Sequence, residues 1–211
     1  MAITYPLTAP LSTLGLEQLQ MRPRNAVAVS ESPFTYKQDI VAHTGKAWAC
    51  NVRIPSQQRD LVEDWLAFLL SLKGPVGTFL MGDPIGATPR GSAKDTPGTP
   101  AVQGAAQTGN ELNIDGLPLS ATGYLLAGDY IQLGAGSTAR LYKTLTQTNS
   151  NGAGQATLDL WPDILTAPAD DETVVVANTA HLWRLTSTVT PWLAQNANVL
   201  GIEFEAAGIV A

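Results

Sequence analysis

The stretch KAWACNVRIPSQQRDLVEDWLAFLLSLKG, residues 46–74, decides how the rest of the chain is read. Residues 46–54 alternate: Trp48, Cys50, Val52 and Ile54 fall on one side of an extended chain, and Ala47, Ala49, Asn51 and Arg53 on the other. That period of two predicts a half-buried strand and places Cys50 in a core as a small hydrophobe. The period then changes. Leu61, Trp65, Phe68, Leu69 and Leu72 recur at helical spacing, and Val62, Leu66 and Leu70 widen the stripe. The pattern predicts a helix over 57–73 with Ser56 as N-cap, and Gly74-Pro75 stops it. Asp60, Glu63 and Asp64 near the start and Lys73 at the end suit the helix dipole. A face this broad needs a sheet or another subunit to cover it.

Upstream, residues 34–43 form a second extended run, and Thr44-Gly45 between the two runs predicts a hairpin turn. Residues 1–24 show no period, and Pro6, Pro10 and Pro23 favour an extended arm. Downstream, residues 77–81 read as a strand. The composition then shifts to Gly, Pro, Ser and Thr, so 85–110 is expected to be a linker or loop. Residues 111–182 hold strand candidates at 111–114, 129–133, 139–147, 156–161 and 173–177, with a hairpin turn at 150–154. Five short strands in so few residues suit a small β-barrel, for which the OB-fold is a natural candidate. Strand patterns return at 183–187 and 201–209, where Ile202, Phe204 and Ala206 alternate with Glu203 and Glu205. The expected organisation is one β domain made of 1–84 with 183–211, a linker at 85–110, and 111–182 inserted between the two parts.

Composition narrows the function. Only 14% of residues are charged, well below the usual quarter or so, which suits a surface that meets neighbours. The net charge is −6, and it is uneven: within 111–182 eight acids face only Arg140 and Lys143. Phosphate-backbone binding needs the opposite sign, so nucleic-acid recognition is excluded. Cys50 is alone, which rules out an intrachain disulfide and a cysteine zinc site. The N-terminus lacks the basic and apolar regions of a signal peptide, and the apolar run 61–72 is too short for a bilayer, so a soluble protein with no membrane partner is expected.

Catalytic chemistry finds little to use. His43 and His181 are the only histidines, and both read as exposed turn or loop residues. Asp170-Asp171 falls in a polar turn, where solvated acids are the ordinary explanation. The string from Gly134 to Ala139 matches GxGxxA, but the Thr-rich run after it reads as a strand, so a β-turn explains it better than a dinucleotide site. Residues 86–94 lack the GK[ST] ending of a phosphate loop. No enzyme activity and no cofactor or metal is expected. Tyr130, Tyr142 and Trp161 are candidate surface aromatics on the insert, able to stack on sugar rings.

In order along the chain, the helix, GTFLMGDP, GYLLAGDYIQLG, ARLYKTLTQT, GQATLDLWPDI, HLWRL and GIEFEAAG resemble the distal tail proteins of long-tailed, non-contractile bacteriophages of Gram-negative hosts. The resemblance covers most of the chain from Phe34 onward. It implies a mainly β protein: a β-sandwich-like, ring-forming domain with one α-helix, decorated by an inserted OB-fold-like barrel. It implies a homohexameric ring at the end of the tail tube, with the tail-tube protein on one face, the baseplate hub protein on the other, and side fibres as a further partner. The protein would be made in the host cytoplasm and reside in the virion. The resemblance places the ring interface on Met21, Arg22, Arg24, Tyr36, Arg53, Phe79 and Met81. Rival readings are a tail-tube or tail-terminator ring protein, a carbohydrate-binding adsorption module, and a cell-wall hydrolase.

Overall fold

The computed structural model describes residues 3–11, 16–195 and 199–210. Parts of the arm expected at 1–24 therefore lie outside the described residues. Among the described residues the chain is mainly β, with one α-helix. In order come β1 (Leu7–Thr8), β2 (Gln18–Glu31), β3 (Gln38–Gln58), α1 (Arg59–Ser71), β4 (Phe79–Met81), β5 (Ala101–Val102), β6 (Glu111–Asp115), β7 (Tyr130–Leu133), β8 (Arg140–Thr144), β9 (Ala156–Trp161), β10 (His181–Leu185), β11 (Trp192–Gln195) and β12 (Val199–Gly208).

Seven of these strands form one curled sheet in the order β1-β4-β10-β12-β3-β2, with β11 also paired to β12. The alternation in β3 works as its residues dictate. Trp48, Cys50, Val52 and Ile54 point inward, and across the sheet Phe204 and Ala206 stand opposite Val52 and Cys50. The helix covers this face with Val62, Trp65, Leu66, Phe68, Leu69 and Leu72. Trp65 packs edge-on to Phe68 at 5.7 Å and lies 6.1 Å from Phe204. Each such side chain, fully buried, contributes roughly 1.5–3 kcal/mol. The first unit is thus a curled sheet with a helix on its inner face. One broad helical stripe does the work of a second sheet.

The helix differs from expectation at its edges. Ser56 does not cap it, because β3 runs on through Gln58 and the first helical residue is Arg59. Leu61 is exposed, since the stripe centres on Val62, Trp65 and Leu69. At the far end the chain turns through Lys73 and Gly74, both at positive φ, where glycine is the natural occupant. The Gly77 N–H then donates back to the Leu72 carbonyl at 2.8 Å. The N-terminal residues dock on the same region: β1 pairs with β4 in parallel, and the Tyr5 hydroxyl donates to the Ser71 carbonyl at 2.7 Å.

The second sheet has the order β5-β6-β9-β8-β7. Single bridges from Thr173 to Ala101 and from Val175 to Gln132 join its outermost strands, so the sheet curls on itself. The strand expected at 173–177 exists only as these bridges. The segment 85–110 is not a linker. Ala93 and Val102 are buried in the second core, β5 pairs with β6, and the Arg90 and Gly91 N–H groups donate to the buried Asp129 carboxylate. The inserted unit therefore starts just after β4 and ends before β10, with His181 and Leu182 in the large sheet. His181 is likewise not an exposed loop residue: it opens β10 and is 1% exposed. Among the described residues no helix is long and apolar enough to cross a membrane.

Candidate assembly surface

The hairpin expected between residues 34–43 and 46–54 does not form, because both runs belong to the single strand β3, and the hairpin present is instead that of β2 with β3. Strand β3 passes straight through Thr44 and Gly45, and the reversal occurs at 32–37. The Tyr36 N–H donates to the Ser32 carbonyl at 2.8 Å, and the Ser32 N–H to the Lys37 carbonyl at 3.0 Å. Asn25 pairs with Lys46 and Val27 with Ala42, so residues 43–45 of β3 stand opposite Ala26 alone. That is a β-bulge, which breaks the ladder and increases twist. Gly45 belongs there because even a Cβ would approach that of Ala26 to 3.2 Å.

Beyond the bulge the two strands leave the body of the protein. Five residues per strand, 27–31 against 38–42, at about 3.3 Å each give paired arms of roughly 16 Å, capped by the turn at 32–37. Every residue from 23 to 45 except Ser32 is exposed. Residues directly opposite each other share a face, so Val27 and Val29 lie beside Ala42 and Ile40 on one side, and Val41 lies beside Ala28 on the other. Phe34 and Tyr36 stand at the tip, 91% and 75% exposed. A two-stranded ribbon with no packed face is at best marginally stable in water, and this one spends its apolar residues on solvent. The outer edge of β2 adds a row of backbone groups that pair with no strand among the described residues. Pro23 sits on that edge strand, where a missing N–H costs the ladder least.

The residues assigned to the ring interface separate into three groups. Tyr36 and Arg24 lie on the exposed hairpin. Met21, Arg22 and Arg53 lie at its base. Met21 is half-buried against the first core, Arg22 pairs with Glu205 at 2.8 Å, and Arg53 pairs with Glu17 at 3.4 Å. Both ion pairs are half-exposed, where such contacts contribute at most about 1 kcal/mol. Phe79 and Met81 cannot serve an interface. They are core residues on β4, which has partners on both sides, and Phe79 packs edge-on to Phe68 at 5.4 Å. Sequence reading passed over Val27 and Val29, which fall between the arm expected at 1–24 and the extended run expected at 34–43, and it gave Phe34, Ile40 and Val41 of that run no interface role. The alternation of Val27 and Val29 was the signal available.

The insert's aromatics do not form a sugar-stacking surface. Tyr142 is fully buried and its hydroxyl accepts from the Leu165 N–H at 3.1 Å. Tyr130 is buried, donates to Asp83 at 3.2 Å and accepts from the Lys143 ammonium at 3.2 Å; burial and the Asp83 charge push its phenol up. Trp161 is half-buried, stacked edge-on to Trp48 at 4.4 Å, with its indole N–H donated to Asn25 at 3.0 Å. Tyr142 belongs to the insert's own core, whereas Tyr130 and Trp161 pack on Trp48 and fasten the insert to the foot of the hairpin, assisted by Lys46 and Asp163 at 2.6 Å. Cys50 offers no reactive thiol: it is buried, and desolvation pushes it up to about 12. No protein-family model matches the chain, and comparison with curated proteins finds no match.

Proposed function

We propose that this chain is a structural virion protein, not an enzyme, that forms a hexameric ring at the distal end of a bacteriophage tail tube. In this reading the ring links the tube to the baseplate hub and the host-adsorption apparatus. The seven-stranded unit is the β-sandwich-like ring-forming domain, and the second unit is an OB-fold-like insertion carried outside it. The reading rests on one observation: a hairpin with paired arms about 16 Å long that leaves Val27, Val29, Phe34, Tyr36, Ile40 and Val41 in solvent. Apolar surface of that extent is normally covered, and a protruding ribbon that docks on a different patch of a sister chain makes the heterologous contact from which rings close. The free edge of β2 and the low overall charge support the same view.

Light scattering and negative-stain imaging of the wild-type chain and of a Val29→Asp/Ile40→Asp variant test it. The wild type is expected to form six-fold rings on concentration or on addition of the tail-tube protein. The variant is expected to stay monomeric with its unfolding midpoint nearly unchanged, since both positions are exposed. A wild-type chain that remains monomeric under every condition, or a variant that assembles equally well, would overturn the proposal.

A further inference from the structure

Leu133 and Arg140 are direct partners across β7 and β8, two residues beyond the pair Ile131 and Tyr142. Side chains two residues apart on a strand share a face. Ile131, Leu133 and Tyr142 all belong to the insert's core, so Arg140 ends an otherwise apolar, inward-facing row. It is only 6% exposed. A cavity of about 630 Å³ opens at this point, bounded by Leu133, Gly134, Arg140, Tyr142, Thr166 and Glu172. The glycine string that begins at Gly134 forms one lip. It folds into a single 3-10 turn at Gly136–Thr138 rather than a helix.

A guanidinium holds its proton under all ordinary conditions, so its burial cannot be relieved by neutralisation. Here desolvation pushes it down from its usual value without removing the charge. Its hydrogen bonding is incomplete. Nη1 donates to the Ser137 and Ala139 carbonyls at 3.3 and 3.1 Å, while Nε is buried and meets no acceptor. Among the described residues no carboxylate pairs with it. Glu172 lines the same cavity but is held elsewhere, accepting from the Gly134 and Ala169 N–H groups at 2.9 and 3.0 Å.

The geometry points to a binding site for a small sugar acid, its carboxylate on Arg140 and its hydroxyls against Thr166, Thr173 and the rim backbone. The volume falls within the range of small-molecule sites. Charge sets the ligand class. Eight acids against two bases within 111–182 repel a polyanion, and Glu172 at the rim disfavours a second negative group. One carboxylate on a neutral, hydroxylated body satisfies both constraints. Recognition here is ionic, and needs none of the aromatic stacking that the buried Tyr130 and Tyr142 cannot supply.

The test is calorimetric titration of the whole protein with D-glucuronate and D-galacturonate, with D-glucose and D-galactose as neutral parents, and with acetate and inorganic phosphate. The uronates are expected to bind at least about tenfold more tightly than the rest. Arg140→Gln should weaken them by about 10- to 100-fold, the loss expected for a charged hydrogen-bond partner. Glu172→Gln keeps the guanidinium and should tighten them severalfold. Because Arg140→Gln also frees Ser137 and Ala139, the Arg140 Nε–H resonance of the wild type is followed as well, and it should shift on adding uronate. Neutral sugars, acetate or phosphate binding as tightly as the uronates would sink the assignment. So would an indifferent Arg140→Gln, or an Nε–H resonance that does not move.

Discussion

His181 shows how one side chain ties pH to stability. Its Nδ1 accepts from the Leu141 N–H at 3.1 Å, which leaves the proton on Nε2, and its ring meets Trp183 edge-on at 5.1 Å. Burial, aided by the nearby charge of Arg140, holds its pKa down to about 3. The unfolded chain, with an ordinary histidine near 6.5, takes up the proton first as pH falls. The stability present above pH 6.5 is therefore lost progressively toward pH 3, by roughly 5 kcal/mol in all. Urea denaturation across that window should show the loss, and His181→Asn, whose side-chain oxygen still accepts from Leu141, should flatten it. A slope that survives the substitution would point to other groups. Nothing in the local residue pattern signals this burial, because a polar residue opening a strand looks like loop until Met81 is found opposite it.

At the scale of elements, local periodicity was enough for the strand at 46–54 and for the helix, since both patterns repeat within a few residues. It failed where geometry depends on a partner strand. Thr44-Gly45 has the composition of a turn, yet only the pairing of Asn25 with Lys46 and Val27 with Ala42 reveals it as a bulge. The helix stripe was legible but blurred. Leu61 and Leu70 match the spacing as well as Trp65 does, and only the latter is buried. Trp65→Ala should accordingly cost about 3–5 kcal/mol, whereas Leu70→Glu should stay within about 0.5 kcal/mol. Chemical denaturation distinguishes the two, and a Leu70→Glu variant as damaged as Trp65→Ala would contradict the packing described.

At the scale of the molecule, the two units share one core boundary. The Trp48 indole donates to the Leu141 carbonyl at 2.9 Å, the Leu182 N–H to the Ala139 carbonyl at 3.2 Å, and Tyr130, Leu141 and Trp161 pack into the first core. Calorimetry should therefore record a single transition whose calorimetric and van't Hoff enthalpies agree. Two resolved peaks would mean that this boundary is weak. That an insertion exists could be read from the returning strand alone. Its true extent could not, because Ala93 and Val102 fill the second core with side chains too small and too scattered to leave a period. Met81 and His181 are direct partners, so the polypeptide departs from the large sheet and rejoins it at a single rung. Whatever is spliced between those two residues can lengthen, shrink or be exchanged without moving any strand of the sheet out of register.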